Sequence, residues 1–221
     1  MSKIGTADIK GIMLGSTEIS KAYLGSDIVY QNAVPAPDGY EWCEYIQNTS
    51  SAYINTGCYA DNTTKVEMVM ENVTNTAYKG ILGTSKTGSP KWGLEQHASS
   101  SKAAFFYYGN ASYKNVGTIA EGSKTTIEIN GATLKRNGTS YTSSGTWSGG
   151  ALSNPIFVFR EYAGGTGCAL MKLYSLKITI GGTLLRDYVP IKRLSDSKYG
   201  LWDKVNETFT TSPNSSAFTG G

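Results

Sequence analysis

His97 is the only histidine in the chain, so no pair of imidazoles is available for a multi-histidine metal centre. The three cysteines, Cys43, Cys58 and Cys168, lack the short spacings of a metal-binding thiolate set. An odd count at wide spacing argues against a disulfide framework, and all three read as buried free thiols; a Cys43–Cys58 bridge is compatible with the spacing but not implied by it. Serine is abundant, yet no Gly-x-Ser-x-Gly elbow occurs, and its nearest look-alike, Gly83-Thr84-Ser85, has no strand-to-helix context. Glycoside hydrolysis needs two carboxylates about 5–10 Å apart across a sugar. Glu67 and Glu71 have a suitable spacing, but they alternate with Met68 and Met70 and read as a solvated strand face. Glu41 and Glu44 fall on opposite faces, and Asp187 and Asp203 are isolated in sequence. No catalytic residue or cofactor is assigned, and a non-enzymatic protein is expected. Asp61-Asn62 offers oxygen ligands of the kind calcium takes, but the same dipeptide is an ordinary turn former, and no metal is assigned.

Recognition of a sugar needs less: exposed aromatic faces beside loop donors and acceptors. Trp92, Tyr108, Tyr113 and Trp147 lie in or near Gly/Ser-rich segments and are the candidate glycan-binding residues. Packing in the core or at an edge is the alternative role for each. Tyr107-Tyr108 is informative, because adjacent strand residues point to opposite faces and only one can enter the core.

Composition narrows the class. The 221 residues include 26 Gly and 15 Tyr, and only 17% are charged, a mix suited to strands joined by tight turns. The net charge of +3 is weak and spread along the chain, so no nucleic-acid partner is implied. No apolar run reaches the roughly 18 residues of a membrane span. Residues 1–14 lack the apolar core of a signal peptide, so synthesis in a reducing cytoplasm is expected. Asn-x-Ser/Thr triplets at Asn48, Asn62, Asn72, Asn110, Asn137, Asn206 and Asn214 then reflect an Asn/Thr-rich composition rather than glycosylation.

Patterning predicts an all-β chain in three parts. Residues 1–30 carry a small repeat, in which Leu14-Gly15-Ser16 recurs as Leu24-Gly25-Ser26 among alternating apolar residues, the signature of a β-meander. A unit this small buries little surface alone and needs a partner surface. Ile12, Leu14, Ile19, Leu24, Ile28 and Tyr30 are therefore the expected docking or oligomer interface. A flap packed on its own neighbouring domain is the alternative. Residues 31–39 hold Pro35 and Pro37 and end in Asp38-Gly39, a semi-rigid linker closed by a turn. From residue 40 to 221 the signals are strands. Residues 64–71 place Val66, Met68 and Met70 on one face. Turns at Asn130-Gly131 and Asn137-Gly138 would set Ile127 opposite Leu134 and Leu134 opposite Tyr141. A hairpin is expected around Gly181-Gly182, and a short apolar strand in residues 154–159. No segment has sustained helical periodicity, so a sandwich or jelly roll is expected.

Two runs carry a resemblance. Tyr45-Ile46-Gln47 with Tyr53-Ile54-Asn55-Thr56-Gly57 resembles the opening of concanavalin-A-like, laminin-G-type jelly rolls of gut bacteria and their phages. The closing run resembles them more specifically, from Leu184-Leu185-Arg186-Asp187-Tyr188-Val189-Pro190 through Leu201-Trp202-Asp203-Lys204-Val205-Asn206. The N-terminal repeat is similar to modules that open virion proteins of gut tailed phages. Together these imply a virion structural protein such as a head fibre or capsid-decorating protein of crAss-like phages. The resemblance implies docking on capsid proteins, dimers or trimers, and display of a lectin-like domain for adhesion to host-surface or mucosal glycans. A tail-fibre receptor-binding protein and a bacterial carbohydrate-binding module are the alternatives.

Overall fold

The computed structural model describes residues 35–74, 78–85, 90–96, 103–110, 113–160 and 167–221, with backbone pairing at six short segments of residues 3–31. The chain divides into two compact units, Met1–Asp38 and Gly39–Gly221.

Within the first unit, β1 (Lys3–Ile4) pairs with β2 (Ala7–Asp8), β3 (Met13–Leu14) with β4 (Thr17–Glu18), and β5 (Lys21–Leu24) with β6 (Asp27–Gln31), all antiparallel. The closing pairs are Ile4 with Ala7, Leu14 with Thr17 and Leu24 with Asp27. In the sequence the residues between these closing pairs are Gly5-Thr6, Gly15-Ser16 and Gly25-Ser26, so the ten-residue repeat has a third copy beyond the two apparent from Leu-Gly-Ser. Gly at the first loop position suits the two-residue turns that follow a strand's twist. Ile12 and Ile19 lie outside the described residues, as do the side chains of Leu14, Leu24, Ile28 and Tyr30.

The second unit is an all-β sandwich of jelly-roll type. Its strands are β7 (Tyr40–Trp42), β8 (Ile46–Asn48), β9 (Ile54–Asn55), β10 (Lys65–Thr74), β11 (Lys79–Ser85), β12 (Lys91–Gln96), β13 (Ala103–Gly109) and β14 (Lys114–Thr118). There follow β15 (Lys124–Asn130), β16 (Thr133–Arg136), β17 (Thr139–Thr142), β18 (Phe157–Val158), β19 (Leu170–Ile180), β20 (Thr183–Arg193), β21 (Tyr199–Asp203), β22 (Thr208–Thr210) and β23 (Phe218–Gly220). One sheet runs β17-β16-β15-β10-β19-β20-β21-β22, with β7 on β20 and β8 bridging β19 to β23. The other runs β14-β13-β12-β11-β18-β9. The chain changes sheet repeatedly, at β8 to β9, β9 to β10, β10 to β11, β14 to β15, β17 to β18 and β18 to β19. The inner faces of both sheets share one apolar core.

Alternation sets the register. Val66, Met68 and Met70 of β10 are buried, as the spacing predicts, and face Ile127 and Ile129 of β15 and Leu173, Leu176 and Ile178 of β19. In β19 the inward residues Leu173 and Leu176 are three apart, which breaks a period of two. A bulge accounts for this: Val69 pairs with Ser175 and Met70 with Leu173, leaving Tyr174 as the extra residue. The hairpin β19–β20 closes on Gly181-Gly182, both at positive φ, with Ile180 opposite Thr183. The apolar strand of residues 154–159 is shorter than its composition suggests and pairs only at Phe157–Val158.

The two Asn-Gly turns differ. Asn137 and Gly138 both have positive φ, and Leu134 faces Tyr141 as expected. At the other turn Asn130 belongs to the strand and pairs with Thr133, so the loop is Gly131-Ala132. Ile129, not Ile127, therefore faces Leu134, and Ile127 faces Arg136. Gly131 alone takes a positive φ there, the pattern of a turn with Gly at its first central position. The slip keeps Ile127 and Ile129 on the buried face.

Candidate binding cleft

The residues expected to present aromatic faces to a sugar do not form a group. Trp92 is 0% exposed and Tyr108 6%, and both belong to the core, so neither offers a free ring face. Burial corrects their assignment as glycan-binding residues. Tyr107, on the opposite face of β13, donates its hydroxyl to Glu95 at 3.0 Å. Trp147 is half-buried, lies 5.4 Å from the Tyr108 ring and donates Nε1–H to the Gly150 carbonyl at 3.1 Å, closing the rim of the core. Tyr113 is exposed, and one face of its ring stacks on Phe105 at 4.1 Å.

The carboxylates also depart from expectation. Glu67 is half-exposed, but the Glu71 side chain is only 14% exposed. It accepts from Lys172 Nζ at 2.9 Å and from the Tyr174 hydroxyl at 2.7 Å. The bulge in β19 is what turns Tyr174 outward to reach it. Lys172 and then Tyr174 hold Glu71 below its ordinary pKa, while burial and the Glu71 charge push the Tyr174 hydroxyl well above its own. Lys124 lies over the Tyr174 ring at 4.2 Å and Lys172 over Tyr45 at 4.7 Å. Every member of this cluster is engaged by another. Asp61 Oδ1 accepts from the Thr63 N–H and from the Thr63 and Thr64 hydroxyls, which is the turn role of Asp61-Asn62. Among the described residues no group of three or more His, Cys, Asp and Glu side chains is placed to hold a metal ion. Cys58 and Cys168 are buried free thiols and Cys43 is a half-buried one; burial raises all three pKa values, as in structural rather than reactive cysteines.

A cleft of about 550 Å³ opens where the β9–β10 connection meets the last hairpin, lined among others by Asn55, Thr56, Arg186, Asn206, Thr208 and Thr210. Its lining residue Arg186 is paired with Asp203. Asp203 is 1% exposed and accepts from the N–H groups of Asp187 and Val205, both at 3.1 Å, and from Asn206 Nδ2 at 2.6 Å. Arg186 Nε lies 3.5 Å from Asp203 Oδ2 and donates to the Thr56 carbonyl at 2.9 Å, and Nη1 donates to the Leu185 carbonyl at 2.7 Å. Asp203 is thus anything but isolated. Gly57 forms the opposite lip at a φ of +67°, held by its N–H bond to Asn55 Oδ1 at 3.0 Å. A Cβ there would make only ordinary contact with Arg186 Nη2 at 3.4 Å, so it is the positive φ rather than lack of space that favours glycine.

The cleft went unassigned in the sequence because its walls lie about 130 positions apart, as Thr56 and Arg186 do. A signal existed. Asn55-Thr56-Gly57 and Arg186 to Asn206 belong to the opening and closing sequence runs singled out above, and the fold brings those runs together here. No family model and no curated protein matches the chain. Among the described residues no helix is long and apolar enough to cross a membrane.

Proposed function

We propose that the chain is a non-enzymatic virion structural protein of a gut tailed phage, a head fibre or capsid-decoration protein that docks through its N-terminal unit and displays the sandwich. The carrying observation is the division of labour in the chain. Residues 1–38 form a separate unit whose described pairs are three minimal hairpins on a ten-residue repeat, and residues 39–221 form a self-contained sandwich. Two-stranded hairpins this short are not stable in water by themselves, so such a unit gains stability from a surface it docks on or from copies of itself. Ile12, Leu14, Ile19, Leu24, Ile28 and Tyr30 are the residues proposed to make that contact, in a dimer or trimer on the capsid. The linker with Pro35 and Pro37 would hold the sandwich off the particle for adhesion to host-surface or mucosal glycans. The reading places the protein in the virion after synthesis in the bacterial cytoplasm.

The test is incorporation. Full-length chain and a chain lacking residues 1–35 are supplied in trans during phage growth, and purified particles are assayed for each. The full-length chain is expected on particles and the truncated one absent. Equal incorporation of both would overturn docking through the N-terminal unit.

A further inference from the structure

We propose that the cleft between Asn55–Gly57 and the β20–β22 hairpins binds a short, neutral saccharide. The proposal rests on reading the sandwich as the recognition unit, not on where the chain assembles.

Charge indicates the class of ligand. The one cationic group of the wall, Arg186, is set against buried Asp203 at 3.5 Å, so the pair presents little net charge. The remaining lining is amide, hydroxyl and proline, with Asn55, Asn206, Thr208, Thr210, Thr211 and Pro213 around the opening. Such a wall offers hydrogen bonds without the excess positive charge that a carboxylate or phosphate would require. The donors and acceptors are complementary. Asn55 spends its Oδ1 on the Gly57 N–H, which leaves its NH₂ to donate. Asn206 spends its NH₂ on the Leu185 carbonyl and on Asp203, which leaves its Oδ1 to accept. Thr211 donates to the Tyr199 carbonyl at 2.8 Å and keeps lone pairs for a ligand. A sugar hydroxyl both donates and accepts, and so matches a wall of this mixed kind.

The wall is also held in place before any ligand arrives. Arg186, Asn206 and Asn55 are each tied by backbone or carboxylate bonds, which reduces the side-chain entropy lost on binding. The volume of about 550 Å³ lies within the roughly 300–1,000 Å³ typical of small-molecule sites, room for one or two sugar rings. Tyr188 lines the cleft but is only 2% exposed, so affinity comes from hydrogen bonding rather than ring stacking and should be modest.

The test uses the isotope-labelled full chain and amide-resolved NMR titration with glucose, galactose, mannose, N-acetylglucosamine, maltose and lactose, with glucuronate and inorganic phosphate as anionic controls. At least one neutral probe is expected to shift the amides of Asn55, Thr56, Gly57, Asn206 and Thr208 in a saturable way. Thr210→Trp fills the cleft and should weaken that binding at least tenfold with the rest of the spectrum unchanged. Thr208→Trp, at an exposed position on the same rim, serves if Thr210→Trp perturbs the fold. Failure of every neutral probe to move these amides, binding by the anions alone, or binding unaffected by the filling variants would each overturn the proposal. A protein that bound saccharide here but was never found on particles would contradict the assembly reading and leave this one standing.

Discussion

Asp203 and Glu71 show how far local chemistry departs from what an isolated carboxylate implies. Asp203 satisfies two backbone N–H groups, Asn206 and Arg186 at once, all around a side chain that is 1% exposed. Asp203→Ala leaves the guanidinium and both N–H groups without their acceptor, and a loss of about 3–5 kcal/mol is expected in urea unfolding. Asp203→Asn, which keeps an acceptor oxygen, should cost less. Glu71 carries a pH signature. Its pKa is lower in the folded than in the unfolded chain, so its contribution is fully present above the unfolded value of about 4.3 and is lost as pH falls through the folded one. Unfolding free energy should therefore drop on acidification below about pH 4, and Glu71→Gln should flatten that part of the profile. A profile identical in the two proteins would show the Lys172–Glu71–Tyr174 contacts to be energetically silent. Asp196, held at about 2 mainly by Arg193, titrates in the same acid range, but it lies on the surface, where solvent screens its pair.

At the scale of elements, the bulge in β19 joins packing to surface chemistry. It lets Leu173 and Leu176 both face the core and puts Tyr174 on the outer face beside Glu71. Strict alternation through Tyr174 would carry Met171 and Leu173 to the outer face and turn Lys172 inward, whereas deleting Tyr174 removes the extra residue and keeps Met171, Leu173, Leu176 and Ile178 all on the core face. The deletion is therefore expected to fold, seen as soluble protein with dispersed NMR signals, while losing the hydroxyl that reaches Glu71; an unfolded product would show that the bulge itself is required. Tyr174→Phe keeps the bulge and should cost only about 1 kcal/mol. Elements were legible in the sequence where a single rule governed them. Period-two spacing located Val66, Met68 and Met70, and Asn137-Gly138 located the Leu134–Tyr141 pair. Where two turn geometries competed, the sequence was ambiguous: Asn130-Gly131 fits one turn and Gly131-Ala132 another, and the structure uses the second. Trp92 and Tyr108 were misplaced because an aromatic beside Gly and Ser reads the same whether it lies on a surface or under a close backbone approach. Gly93 supplies that approach, since a Cβ there would meet the Leu82 carbonyl at 2.9 Å. The cleft was the least legible part, as it forms only when residues from the two ends of the sandwich meet.

For the whole molecule, a unit of minimal hairpins and a self-contained sandwich are two kinds of object on one chain. The sandwich has a core large enough to stand alone, whereas paired strands of two to five residues, the elements described in residues 3–31, are too short to be stable by themselves. That asymmetry is why assembly is proposed as the main activity and saccharide recognition as the task of the displayed domain. The most direct measurement of this proposal is electron microscopy of purified particles of the phage proposed to encode this chain, labelled with antibodies raised against residues 39–221. Label at regular positions on the capsid surface, with the sandwich standing off the shell, is the predicted result. Particles that carry no label and contain none of the chain by mass spectrometry would contradict the account.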